Sequence, residues 1–304
     1  MLTPPSTANA RVATIARRTC LLRLNSGEQV EAVLRGKLFD SEDGGVAVGD
    51  WVDAQLENGQ WAVEEVLQRA NAYLRKGLRK EKQVMFANAD RVLIVASLLQ
   101  PVTKIAAIDR FLVAALFGKV SPVLILTKSD LDETGDRLRQ IREVFESFDF
   151  PIFTVSNVSG QGVDALRELL SEGVSAIIGN SGVGKSSLLN SLIPELELRV
   201  REVSTWSGKG THTTTAALLV PYGERAMLVD TPGMKSFVPY GLTKENLTSL
   251  FPEIQELAKN CRFRNCKHIA EPNCAVLEAL DENTLPESRY KSFHRLMSEV
   301  VEEY

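Results

Sequence analysis

A glycine-rich stretch in the second half of the chain combines the residue types that proteins use to hold nucleotide phosphates. Its members are Gly179, Asn180, Ser181, Gly182, Val183, Gly184, Lys185, Ser186 and Ser187. Glycines let backbone N–H groups turn inward around phosphates, while a lysine and a serine at this spacing reach the β- and γ-phosphates and a Mg²⁺ ion. The run VSAII before the stretch and SSLLNSLI after it supply the strand and helix that such a loop needs. We therefore predict a nucleoside triphosphate site in which Lys185 also contributes to catalysis and Ser186 ligates Mg²⁺.

A second polar stretch, which follows the apolar run PVLIL, has the residue types that select guanine. Asp130 can accept hydrogen bonds from N1 and the exocyclic amine of guanine, and adenine presents no such pair of donors. The aliphatic stem of Lys128 can lie along the plane of the base. Thr127 stands where this motif usually has asparagine, and we expect this difference to weaken the affinity for the base. The guanine-binding candidates, including two in the loop after PIFTV, are Thr127, Lys128, Ser129, Asp130, Ser156 and Asn157.

Two further stretches have the pattern of switch regions. Asp230 begins the sequence DTPG after the run AMLV, and it would hold Mg²⁺ through water, while the amide of Gly233 would sense the γ-phosphate. In the stretch GTHTTT, either Thr213 or Thr214 would complete the Mg²⁺ shell when the triphosphate is bound.

The residue that follows DTPG bears on the rate of hydrolysis. Ras-like enzymes have a glutamine there that orients the attacking water. This chain has Met234, whose side chain cannot polarise water, so we expect slow intrinsic hydrolysis that a partner accelerates. His212 is the nearest titratable candidate for orienting the water, with anchoring of switch I or contact with RNA as the alternatives.

Most of the cysteines crowd into one short segment near the C-terminus. The ligand candidates there are Cys261, Cys266, His268 and Cys274. Three cysteines and a histidine are the ligands of a closed tetrahedral zinc site, and four protein ligands would make one zinc per chain structural. The alternative is a set of reduced, buried cysteines beside a surface histidine. Cys20 is expected in a core, and no role is predicted for His294, which has no companions in the sequence.

The apolar pattern divides the chain into three predicted domains, at residues 1–70, 71–240 and 241–304. Short alternating stretches between turn signals predict an OB-like (oligonucleotide-binding) β-barrel first, with a generic β-spacer as the alternative. Buried-strand runs that alternate with helical runs predict a doubly wound α/β domain second. The third domain is predicted to be mostly helical, and its first helix should span residues 244–259.

Composition restricts the classes of protein to consider. The chain has 304 residues, of which 44% are hydrophobic and 24% charged, as in globular proteins, and its net charge is −4. No run approaches the roughly 18 apolar residues of a spanning helix, so no membrane partner is expected. The crowded cysteines favour a reducing cytoplasm. Two basic clusters, at residues 69–82 and 259–267, are either solvated surface or RNA contacts.

The order of the motifs differs from that of most GTPases, in which the phosphate loop comes first and the guanine motif fourth. Here the guanine stretch precedes the phosphate loop, and the switch threonines and DTPG follow. The same sheet can form if the chain is opened at another connection, so the order predicts a circularly permuted P-loop GTPase domain. The stretches GNSGVGKSS, THTTT, DTPG and CRFRNCKHIAEPNC, together with the N-terminal barrel, resemble the RsgA/YjeQ family.

That resemblance implies a GTPase of small ribosomal subunit biogenesis, which binds GTP or GDP with Mg²⁺, holds Zn²⁺ and contacts the subunit and its rRNA. We expect a monomer whose turnover the subunit stimulates. One alternative is a nucleotide-gated RNA-binding scaffold with incidental hydrolysis. The other is an ATP-using P-loop enzyme such as a kinase, and the guanine stretch argues against this second alternative. Because DTPG is the last of the nucleotide motifs, it leads directly into the domain that contains the cysteines. The presence or loss of the γ-phosphate could therefore tilt that domain directly.

Overall fold

The N-terminal part of the chain forms a closed barrel. The computed structural model describes residues 1–38, 44–77, 81–145, 148–193, 217–231 and 237–300. In these ranges the barrel strands close in the order β1-β2-β3-β5-β4, with β3 parallel to β5 and the other pairs antiparallel. The strands are β1 Ala10–Ala16, β2 Thr19–Leu24, β3 Gln29–Leu34, β4 Trp51–Glu57 and β5 Gln60–Val66. The predicted OB-like barrel is confirmed.

The interior of the barrel is filled by alternate residues of its strands. Val12, Cys20, Leu22 and Val52 are fully buried there. Burial raises the pKa of the Cys20 thiol to about 12, so this cysteine is an inert core residue, as predicted.

A sheet of six strands forms the centre of the molecule in the described ranges, in the order β10-β9-β8-β11-β13-β12. All neighbours are parallel except β12, which is antiparallel to β13. The strands are β8 Arg91–Ser97, β9 Ser121–Thr127, β10 Ile152–Thr154, β11 Gly173–Ile178, β12 Leu218–Tyr222 and β13 Ala226–Asp230. Strand β12 was not predicted. Its Pro221 argues against a central strand, but at the edge of a sheet a missing N–H is tolerated.

Helices cover both faces of this sheet, as the predicted doubly wound architecture requires. They are α1 Ile105–Phe117, α2 Asp136–Phe145, α3 Val163–Leu169 and α4 Lys185–Leu192. Successive residues of β8 point to opposite sides, so Ile94 packs with α1 and α2 while Val95 packs with α3 and α4.

An antiparallel hairpin, β6 Ala72–Lys76 and β7 Lys82–Ala87, lies between the barrel and the sheet. Its Tyr73 ring stacks on Phe86 and on Phe237, with centroids 5.1 and 5.5 Å apart. The N–H of Lys76 donates to the carbonyl of Val238 at 2.9 Å. The chain beyond DTPG therefore contacts this hairpin before it reaches the cysteine segment, which the sequence did not predict.

The C-terminal part is helical, as predicted, but the prediction of a single helix at residues 244–259 is wrong. The helices are α5 Lys244–Leu247, α6 Pro252–Ala258, α7 Ala275–Asp281 and α8 Glu287–Glu299, with a 3₁₀ turn Thr248–Leu250 after α5. Pro252 has no N–H and disfavours helical geometry at the preceding residue, and Phe251 is non-helical (φ −123°, ψ 82°). No helix in the described ranges is both long and apolar enough to cross a membrane.

Candidate nucleotide site and metal centre

The candidate nucleotide residues meet at one edge of the central sheet. Strand β8 lies between β9 and β11, and all three are parallel, so their carboxyl ends share an edge. The chain moves outward from β8 to β10 and then returns to place β11 on the other side of β8. Such a reversal of strand order opens a crevice where open α/β sheets bind ligands.

The phosphate loop connects β11 directly to α4, which begins at Lys185. Gly179 passes so close to β8 that a Cβ atom there would lie 2.4 Å from the carbonyl oxygen of Val95. Only glycine fits at this approach. The Nζ atom of Lys185 donates to the carbonyls of Gly179 and Asn180 at 2.8 and 2.6 Å, so the ammonium lies within the loop. Burial lowers the pKa of Lys185, and the charge of Asp230 opposes that shift.

The guanine loop is tied to the phosphate loop by two side chains. The fully buried hydroxyl of Thr127 donates to the carbonyl of Val183 at 2.6 Å. The Nζ atom of Lys128 donates to the carbonyl of Gly182 at 3.0 Å and to that of Gln100. Thr127 thus has a second role beside the base, a contact with the phosphate loop, which no local sequence pattern predicts.

Asp130 lies next to the loop that follows β10. The hydroxyl of Ser156 donates to Oδ1 of Asp130 at 2.5 Å and accepts the N–H groups of Val158 and Ser159 at 3.2 and 3.1 Å. The hydroxyl of Ser129 bonds Oε1 of Gln161 at 3.2 Å. The structure therefore brings Asp130 and Ser156 together and orients the exposed carboxylate of Asp130. Neither contact has a local sequence signal, because the partners come from different loops.

The remaining Asn157 is half-buried, and its Oδ1 has no hydrogen-bond partner in the described part of the chain.

At the opposite end of the site, β13 ends at Asp230. Burial raises the pKa of this carboxyl to about 6, with the charge of Lys185 acting the other way. The exposed Ser181, Ser186 and Ser187 face solvent along the phosphate loop.

Five of the predicted site and switch residues lie outside the described residues. They are His212, Thr213, Thr214, Gly233 and Met234.

The cysteine segment gathers its four candidate ligands into one cluster that could hold a metal ion. The ligand atoms of Cys261, Cys266, His268 and Cys274 all lie within 4.8 Å of one another. Nδ1 of His268 is 3.6 and 3.4 Å from the sulfurs of Cys261 and Cys274, which are 3.9 Å apart. A tetrahedral ion with bonds of about 2.3 Å has ligands roughly 3.8 Å apart, so the donor set and its spacing fit zinc.

His294 does have companions, and the prediction that it stands alone is wrong. Its Nε2 atom lies 3.0 Å from the carbonyl oxygen of His268, and its ring centroid is 4.4 Å from that of Tyr290. The sequence interval of 26 residues between the two histidines hid this contact.

A family model described as RsgA GTPase matches residues 66–238, which is more than half of the chain. The chain belongs to the RsgA GTPase family. This membership and the order of the motifs on the sheet make it a GTP hydrolase with a circularly permuted P-loop domain, as predicted. The kinase alternative has no support.

Relatives of the RsgA family match over nearly the whole chain. The small ribosomal subunit biogenesis GTPase RsgA of Bacteroides fragilis is 34% identical over 92% of this chain and 93% of its own. The protein of that name from Chlorobaculum tepidum is 36% identical over 84% of this chain and 86% of its own. The crystal structure of YjeQ from Thermotoga maritima has a TM-score of 0.76 at 30% identity, and the match covers 98% of this chain and 99% of that chain. YloQ, a circularly permuted GTPase, has a TM-score of 0.67 at 26% identity and covers 98% of both chains.

Replacing Thr127 by Val should weaken GDP binding. The substitution keeps the shape of the side chain but leaves the Val183 carbonyl without its donor, a loss of about 1–3 kcal/mol. Because this bond holds the phosphate loop against the guanine loop, GDP affinity should drop about tenfold in a calorimetric titration. Thr134→Val, which removes an exposed hydroxyl bonded to Asp136, is the matched control and should bind as wild type. An unchanged affinity for Thr127→Val would contradict the link between the two loops.

The Mg²⁺ contribution to nucleotide affinity should depend on pH through Asp230. Its raised pKa of about 6 means that the carboxyl is protonated below that pH, and Mg²⁺ must then displace a proton. The gain in affinity for a non-hydrolysable GTP analogue on adding Mg²⁺ should be flat above about pH 7 and fall about tenfold per unit well below the pKa. Titrations with and without Mg²⁺ across this range measure it. A constant gain down to about pH 5 would rule out Asp230 as the group responsible.

Proposed function

We propose that this GTPase binds the small ribosomal subunit, assists its late maturation and leaves after hydrolysing GTP. The observation that carries the proposal is the match over nearly the full length to relatives named small ribosomal subunit biogenesis GTPase RsgA. A GTPase domain flanked by two other units is suited to this task, since the flanking units can bind while the nucleotide sets the duration. We retain the domain boundaries 1–70, 71–240 and 241–304 as part of the proposal.

The surface around the metal cluster supports contact with rRNA. Arg262, Arg264 and Lys267 are exposed there, and the guanidinium of Arg262 lies 5.4 Å from the ring centroid of Phe263. Phe263 itself is 41% exposed. Cations bind phosphates, and exposed aromatic rings stack on unpaired bases, so this surface has the composition of an RNA-binding surface.

We assign the residues of the nucleotide site as follows. Asp130 and Lys128 select guanine, with Thr127, Ser129, Ser156 and Asn157 around them. The phosphate loop from Gly179 to Ser187 holds the phosphates, with Lys185 stabilising charge during transfer. Mg²⁺ binds Ser186, Asp230 and either Thr213 or Thr214, and Gly233 senses the γ-phosphate. A single structural zinc binds the four-residue cluster and stabilises the C-terminal fold.

Hydrolysis is assigned to a subunit-dependent arrangement of switch I. Met234 cannot position water, so free protein should turn over slowly. The subunit would order the switch and bring His212 toward the γ-phosphate, where an imidazole can orient the attacking water. In the alternative, a nucleotide-gated scaffold, hydrolysis is incidental and need not respond to the subunit.

Single-turnover hydrolysis with and without purified small subunits tests the proposal. Wild-type protein should be accelerated by subunits, because they order the switch. His212→Ala should keep its nucleotide affinity but lose stimulated turnover by roughly a hundredfold or more, the range of a water-orienting group. Lys185→Ala is the contrasting variant and should lose binding and turnover together.

One result would contradict the proposed function, and another would contradict only the role of His212. Wild-type turnover that ignores saturating subunits would favour the scaffold. A wild-type rate for His212→Ala on subunits would leave the function standing but remove the histidine from the water-orienting role.

A further inference from the structure

Helix α8, Glu287–Glu299, contacts both the metal cluster and helix α1 of the GTPase sheet. Tyr290 and His294 lie one turn apart on the helix and reach the cluster, whereas Arg289 reaches α1. One helix thus contacts both the metal cluster and helix α1 of the GTPase sheet, which the sequence patterns assign to different parts of the chain.

The contact with the metal cluster is made to the main chain of a ligand residue. The carbonyl oxygen of His268 accepts from the hydroxyl of Tyr290 at 2.7 Å and from Nε2 of His294 at 3.0 Å. A carbonyl cannot donate, so Nε2 of His294 carries the hydrogen. The carboxylate of Glu271 also binds this loop, accepting the N–H groups of Lys267 and Ile269 at 2.7 and 2.8 Å.

The position of this main chain determines the position of the ligand atom. His268 directs Nδ1 at the sulfurs, and Nδ1 is the ring nitrogen nearest to the backbone, so a shift of the backbone moves it directly. The residue also has φ 56°, in the left-handed region that few non-glycine residues adopt. Two of the hydrogen bonds that hold the loop in this conformation come from α8.

The contact with α1 is a buried ion cluster. Arg289, which is 3% exposed, bonds the fully buried Asp109 of α1 and also Glu253 at 2.7 Å. Its guanidinium lies 4.5 Å from the ring centroid of Phe251 and 4.9 Å from that of Phe148. A guanidinium held by two carboxylates and covered by rings has little freedom to move, so α8 is fixed to α1 at this position.

Helix α1 in turn follows the loop whose Gln100 carbonyl accepts from Lys128 of the guanine motif. Helix α1 therefore begins shortly after this contact in the chain, and Asp109 within it bonds Arg289. This gives a continuous set of contacts from the guanine loop to the cluster.

We propose that α8 couples the metal centre to the GTPase domain. Tyr290 and His294 are positioning residues for the ligand His268, and Arg289 fixes the same helix to Asp109 of α1, so a change at one end alters the other. The proposal rests on the metal site assigned above. It predicts that metal retention depends on a residue in the GTPase domain that contacts neither the metal ligands nor the nucleotide.

The test measures zinc release from the loaded full-length protein to a chromogenic chelator. Tyr290→Phe should speed release about tenfold or more, as for other outer partners of metal ligands. Asp109→Asn should speed it roughly two- to thirtyfold through the helix alone. Lys291→Ala, an exposed change on the same helix, is the matched control and should release zinc as wild type. GDP binding by each variant reports whether the GTPase domain is folded.

Release at the wild-type rate from either Tyr290→Phe or Asp109→Asn, in protein that binds GDP, overturns the coupling. A wild-type chain that takes up no zinc overturns the metal site itself and this proposal with it, so the two failures are distinguishable. If Asp109→Asn does not bind GDP, hydrogen exchange of the wild-type protein decides. Chelating the zinc should then speed exchange in α8 and around Asp109 in α1, and unchanged exchange in α1 overturns the coupling.

Discussion

The placement of β8 between β9 and β11 is the constraint on which the nucleotide site depends. Because the three strands are parallel, the loop that we propose selects the base and the loop that we propose holds the phosphates emerge side by side, although many residues separate them in the chain. The hydroxyl of Thr127 and the ammonium of Lys128 then bond the phosphate loop directly. Sheet order and not chain order sets this geometry, which is why a circular permutation can preserve the site.

The permutation changes what lies beyond the last strand. The chain after DTPG contacts the β6–β7 hairpin through Val238 before it enters the helical region, and Phe237 packs against both Tyr73 of the hairpin and Phe111 of α1. The helical region itself packs on α1, with Val113 of α1 inside its core. A tilt of the cysteine segment by the switch stays a prediction, and it would also have to act against the ion cluster around Arg289, which holds the region to α1.

Sequence patterns predicted the elements whose signals are local. Period-two alternation predicted the barrel, continuous apolar runs predicted the buried parallel strands, and the crowded ligand types predicted the metal cluster. The pattern failed where a single proline changed the outcome, at Pro221 in an edge strand and at Pro252 in a broken helix. It also could not find contacts between distant residues, such as that of His294 with His268, since nothing in the local composition marks them.

The central claim is that a permuted sheet assembles a guanine-specific site around Asp130. Calorimetric titration with GTP, ATP and xanthosine triphosphate tests this claim most directly. The wild-type protein should bind GTP far more tightly than ATP. Asp130→Asn should lose affinity for GTP and gain it for the xanthine nucleotide, because an amide can donate to the carbonyl that replaces the exocyclic amine. Equal affinity of the wild-type protein for GTP and ATP would contradict the account.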